Sequence, residues 1–165
     1  MKKKTIFASV LVLLLLATST AFACPPGFTE FTTTGVSWPI SWPPEELPGG
    51  RLKYTAQATG TVRSDCTPGE ICFDGAGFTF TEWILANPVG SKARNGGIMT
   101  ITASGGAAVF EFQGTADASS VHGTFRALSG TGEYAGLSGG GRYEGIPDAG
   151  EGFWVRYFGR LSAEQ

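Results

Sequence analysis

SGTGEYAGLSGGG, residues 129–141, admits two incompatible folds. Gly130-Thr131-Gly132-Glu133-Tyr134-Ala135 fits the loose Gly-x-Gly-x-x-Gly/Ala turn of dinucleotide-binding domains. Such a turn must follow a strand and open a helix, whose N-terminal N–H groups receive the pyrophosphate. A strand pattern does precede it, over 121–128. No helix can follow, because Gly136, Gly139, Gly140 and Gly141 come next, and each glycine costs a helix interior about 1 kcal/mol relative to alanine. The acidic residue that should end a second parallel strand is not evident either. The phosphate-loop reading fails, and the glycines must serve tight connections, bulges or sharply bent strands. In that setting Gly130 and Gly132 allow positive φ in a tight connection, and Tyr134 and Leu137 are expected to pack inward and pin the turn.

Outward from this stretch the chain alternates with a period of two, the signature of half-buried strands. In Lys53 to Arg63, Tyr54, Ala56, Ala58 and Val62 fall on one face and polar residues on the other. Phe78, Phe80 and Ile84 alternate with Thr79, Thr81 and Trp83. Further strand patterns lie at 98–103, 108–114, 121–128, 141–144 and 153–161, with no helical stripe between them. The breaks are short, as in Ser104-Gly105-Gly106 and Asp117 to Ser120, which favours antiparallel hairpins over crossover helices. Roughly eight such strands need their edges protected, and closure into a barrel is the usual remedy. The expected fold is all-β: one antiparallel, roughly eight-stranded closed barrel over 24–165, with a β-sandwich as the alternative. A Pro/Trp-rich segment, 38–50, carries a doubled Ser-Trp-Pro at Ser37-Trp38-Pro39 and Ser41-Trp42-Pro43. Prolines at this density remove ladder donors, so the segment is expected to lie outside the sheet. It would act there as a covering loop, a lid or an aromatic contact surface.

The passage Gly123 to Gly145 resembles the allene-oxide-cyclase-like and dirigent-like barrel proteins. Their signature is a strand, then Ser/Gly-Gly-Thr-Gly, an aromatic residue or Leu, Ala-Gly, two residues, Gly, and another strand. Here that is Ser129 to Gly139, with Tyr134 in the aromatic slot. Gly114-Thr115 and Phe153 to Gly159 are similar as well, so the likeness covers about the last 70 residues of the chain. The N-terminal half matches nothing by inspection. The resemblance implies an eight-stranded antiparallel barrel with an axial cavity, in a family that handles apolar small molecules. It transfers no catalytic residue and no reaction.

Residues 1–23 read as a signal peptide: Lys2, Lys3 and Lys4, an apolar run over 6–17, and the small-x-small site Ala21-Phe22-Ala23. The run falls short of the ~20 residues of a membrane span. Removing those 23 residues from 165 leaves 142, enough for one domain with a real core. It also leaves nine of the twelve basic residues against fourteen acidic ones, a formal charge of −5. With no basic stripe, nucleic acid is not an expected partner. Export implies oxidising conditions, and Pro68-Gly69 supplies a turn between Cys66 and Cys72, so a Cys66–Cys72 disulfide is expected. Cys24 is then a lipid attachment site, a free thiol or an intermolecular bridge, and membrane association is expected only if it is acylated. The chain is expected to be secreted, periplasmic or at the cell surface. Its oligomeric state is not legible.

Chemistry-bearing residues are sparse. His122 is the only histidine; it faces away from Val121, Gly123 and Phe125, and no Gly-x-Ser-x-Gly elbow occurs, so neither a triad nor a zinc site is expected. No cofactor is expected. Glu82 shares the apolar face of Phe78, Phe80 and Ile84. A carboxyl pointing into a barrel has a raised pKa unless it is paired, so Glu82 is the candidate acid. Arg126 and Arg156 are its candidate partners across the barrel, and a rim carboxylate bonded to backbone is the plainer alternative. Phe78, Phe80, Phe110, Phe112 and Phe125 are the candidate ligand-binding side chains, with Trp154 and Phe158 counted on the same aromatic faces. Three functions follow: a module binding a small apolar ligand, a cyclase or isomerase acting on a lipid-like or phenolic substrate, and an adhesive surface protein using the Trp-Pro segment.

Overall fold

The computed structural model describes residues 27–88, 92–147 and 152–163; the leader expected over 1–23 and Cys24 lie outside them. Its strands are β1 Phe28–Pro39, β2 Glu45–Leu47, β3 Arg51–Ser64, β4 Gly77–Ala86 and β5 Lys92–Ala103. These are followed by β6 Gly106–Asp117, β7 Val121–Gly130, β8 Ser138–Ile146 and β9 Phe153–Ser162. From β3 to β9 each strand pairs antiparallel with the next. β1 then pairs with β9 along Phe28–Gly35 and with β3 along Phe31–Pro39, which joins the two edges. The result is an eight-stranded closed barrel, and the sandwich alternative falls.

β2 pairs with Arg51–Lys53 of β3, beyond the last β1 pair at Pro39 and Ala56. The segment 38–50 is therefore not wholly outside the sheet: Trp38 and Pro39 finish β1, and Glu45–Leu47 form β2. Proline is tolerated there because β9 begins opposite Gly35, so Val36–Pro39 has a ladder partner on one side only. Trp42 projects into solvent and is 73% exposed.

The alternation read from sequence sorts the side chains. Ala56, Ala58, Val62, Phe78, Phe110, Phe112 and Phe125 point inward and are buried. One end of the barrel is filled solid. Phe31 lies 5.2 Å from Phe73, 6.0 Å from Phe110 and 6.0 Å from Phe125, ring centroid to centroid, and stacks on Tyr157 at 4.8 Å. Burying each such ring contributes about 2 kcal/mol. Phe73 is not a strand residue. It comes from the 65–76 connection between β3 and β4, where the Cys66–Cys72 disulfide (Cα–Cα 5.3 Å) closes a small loop just before it.

The glycine-rich stretch 129–141 runs beneath this floor. After β7, Gly132–Tyr134 forms one 3-10 turn, entered through Gly132 at φ +61°. Tyr134 and Leu137 are buried, as expected. The Tyr134 ring sits 5.1 Å from Phe73 and its hydroxyl donates to the Cys72 carbonyl at 2.7 Å. Gly130 does not adopt positive φ. It lacks a side chain because the Tyr134 carbonyl occupies the space a Cβ would need.

Candidate functional site: the open end of the barrel

The opposite end is hollow. A cavity of about 510 Å³ opens between the Asp117–Ser120 turn and the ends of β4 and β8. Its apolar wall includes Phe80, Ile84, Phe112, Val121 and Phe153, supplied by inward positions on four strands. Of the five phenylalanines expected to contact a ligand, Phe80 and Phe112 line the cavity. Phe78, Phe110 and Phe125 instead belong to the packed interior. Trp154 and Phe158 face outward, because Phe153, Val155 and Tyr157 take the inward positions of β9.

Glu82 projects into this cavity from the middle of β4, two residues beyond Phe80. Its carboxylate accepts a hydrogen bond from the Asn95 side-chain amide at 3.1 Å, and Tyr143 donates its hydroxyl to the Asn95 oxygen at 3.4 Å. A carboxyl–amide–phenol chain thus crosses from β4 through β5 to β8. Asn95 is 7% exposed, one of few buried polar side chains among the described residues. Burial raises the Glu82 pKa above the ordinary carboxyl value, and the Asn95 hydrogen bond offsets part of that rise. Tyr143 is pushed well above the usual phenol range, first by burial and then by Glu82. Tyr157, fully enclosed behind Tyr143, is raised in the same direction and chiefly for the same reason. Tyr54, on β3, is raised by burial with Glu82 adding to it.

Neither arginine reaches Glu82. Arg126 alternates with the inward Phe125 and pairs outside the barrel with Glu111, Nε to Oε2 at 2.6 Å. Arg156 alternates with Val155 and Tyr157 and grips Glu30 with two bonds of 2.7 and 2.8 Å. The strand period, which places an arginine next to an inward aromatic on the outer face, rules out both pairings. His122 also lies outside, 3.0 Å from the Thr115 hydroxyl, in an external groove with Arg51, Lys92 and Arg94. Among the described residues no three His, Cys, Asp or Glu side chains gather as a metal site.

Asn95, Tyr143 and Tyr157 were not singled out from sequence. Gly96-Gly97 reads as a break ahead of a strand at 98, whereas β5 begins at Lys92 and runs through both glycines. They are glycines because the Trp83 indole crowds the one and the Thr81 carbonyl the other. The signal was present all the same: Tyr143 and Tyr157 lie at inward spacing from Gly141 and Val155.

Glu82 has a clear stability signature. Its folded pKa exceeds its unfolded value, so between the two the folded state holds more protons and unfolding free energy falls as pH rises. The penalty is absent below the ordinary carboxyl range and complete above the raised value. Glu82→Gln, which keeps the Asn95 bond, should therefore melt higher than the native protein at neutral pH, and the difference should vanish in acid. Thermal unfolding across pH measures it, and a variant less stable at neutral pH would show that the charged form is stabilised.

Compared with known proteins, the chain matches no family model and no curated sequence. The eight-stranded antiparallel barrel is compatible with a barrel superfamily.

Proposed function

We propose that the chain is an exported barrel protein, of the allene-oxide-cyclase-like or dirigent-like type, that binds a small and largely apolar molecule in its open end. The observation that carries this reading is the cavity itself. Its volume of about 510 Å³ lies within the range of about 300–1,000 Å³ typical of small-molecule pockets. Its wall is mainly apolar, with a few polar groups (Glu82, Asn95, Tyr143) converging at one place, as ligand sites require. A core meant only for stability would be filled at this end as it is at the other, since an unfilled interior forfeits packing energy. The Cys66–Cys72 disulfide is compatible with an oxidising compartment outside the cytoplasm.

Native mass spectrometry of the protein from its own host tests the reading directly, through the mass of any co-purified ligand and of an acyl group on Cys24. A second test fills the mouth. Ala86 points inward at the cavity end of β4, so Ala86→Trp should weaken uptake of an apolar fluorophore such as Nile red by about tenfold or more. Unchanged uptake would place the fluorophore elsewhere and count against the cavity.

A further inference from the structure

We propose that the cavity is built for an organic cation: an apolar amine whose body fills the aromatic wall and whose ammonium group rests on the Glu82 carboxylate. The inference rests on the ligand-binding reading above and specifies its chemistry.

Glu82 is a half-buried acid with no basic partner among the described residues. The ion pairs among the described residues join Lys53 to Glu45, Arg126 to Glu111, and Arg156 to Glu30 and Glu144, all on the outer surface. Among the described residues no Lys, Arg or His lines the cavity. Lys92 and Arg94 come near its rim, but they alternate with the inward Ala93 and Asn95 and line the external groove. A carboxyl taken out of water and left unpaired either holds a proton or takes a cation from outside. In a cavity open to solvent, the second course is available to a ligand.

The surroundings suit a cation further. In the register row across the sheet, Glu82 sits between Ala56 on β3 and Gly97 on β5. Neither neighbour carries a polar or charged side chain that could pair with the carboxyl. Aromatic rings line the same cavity: Phe80 lies 5.5 Å from Phe112 and 5.5 Å from Phe153, and Tyr54 and Tyr143 share the lining with the acid. The face of such a ring attracts a cation that reaches it. At the mouth, Asp117 is a second carboxyl, held ionised by the Ser119 and Ser120 N–H and hydroxyl groups, with its pKa lowered to about 2. Inside the cavity an anionic ligand would meet the two acids Glu82 and Asp117 among the described lining residues.

The pH response follows from the groups around Glu82. Tyr54 of β3, Tyr143 of β8 and Tyr157 of β9 all keep their protons at neutral pH, and Asp117 keeps its charge. Among the described lining residues, Glu82 is thus the group that changes charge as pH rises from acid. Amine affinity should climb through that range and hold until the amine itself loses its proton.

Calorimetric titration of the full chain with 4-phenylbutylamine, 4-phenylbutanol and 4-phenylbutyrate tests this. At neutral pH the amine should bind about tenfold or more tighter than the alcohol, and the carboxylate weakest of the three. The amine's advantage should shrink in acid. Glu82→Gln should weaken the amine about tenfold and so remove most of its advantage over the alcohol. Alcohol binding as tight as amine binding, an advantage that persists in Glu82→Gln, or no change of the native protein's preference with pH would each overturn the proposal. Binding of none of the three would overturn the cavity reading, and this one with it.

Discussion

Phe73→Ala should lower the free energy of unfolding by about 3–5 kcal/mol, as removal of a fully buried aromatic ring does. Phe73 has no exposed surface, although it belongs to a connection rather than a strand. Its ring meets Phe31 at 5.2 Å, Phe110 at 5.9 Å and Tyr134 at 5.1 Å, so truncation leaves a hole against three aromatic neighbours. The connection is tied down beside it by bonds from Gly75 N–H to the Val62 carbonyl, from Val62 N–H to the Ala76 carbonyl, and from Ala76 N–H to the Phe73 carbonyl. These limit how far the loop can collapse into the space, which places the cost high in the range. Urea unfolding at matched slope measures the change. A loss under about 1 kcal/mol, within the range of an ordinary surface substitution, would mean that the 65–76 connection is a cover and not part of the core.

Gly130→Ala is the second large effect, with an expected cost of about 2–3 kcal/mol. An added Cβ at Gly130 would collide with the Tyr134 carbonyl and lie 2.8 Å from the Tyr134 Cβ. Both belong to a turn held from below by the Cys72 carbonyl and from the side by Phe73, so the turn can yield only by loosening the floor. A useful comparison is Gly69→Ala. Gly69 has φ +89° with nothing within 4 Å of the added Cβ, so only the backbone penalty of about 1–2 kcal/mol applies there. Denaturant midpoints of the two variants separate close approach from conformation. If Gly130→Ala costs no more than Gly69→Ala, the contact with Tyr134 is not the reason for that glycine.

Much of the barrel is legible in the sequence because strand alternation is a local property. Reading Phe78, Phe80, Glu82 and Ile84 as one face needs only a period of two, and the same rule places Val121 and Phe125 inside and His122 outside. The rule weakens where glycine removes the alternating side chain. Gly96-Gly97 hid the first half of β5 and with it Asn95, and in the strand read over 141–144 Gly141 left Tyr143 without an apolar neighbour to mark its face. It is silent on connections, so Phe73, which completes the core, has no pattern to mark it. The proline-rich 38–50 stretch misled for a related reason. Proline excludes a residue from a two-sided ladder, and only the stagger between β1 and β9 reveals that the ladder there is one-sided.

The sequence by itself determined the all-β class, the alternation of faces in most strands, the expected disulfide, and Glu82 on the apolar face of its strand, with a barrel favoured over a sandwich. Only the tertiary structure decided that one end is sealed and the other hollow, that Glu82 meets Asn95 and no arginine, and that the 129–141 glycines fold a tyrosine beneath the floor. The physical reason is the range over which each is specified. Alternation is set between adjacent residues, whereas a cavity and its polar contacts depend on which rungs of different strands the register brings level. That register is set by the closure of the whole barrel.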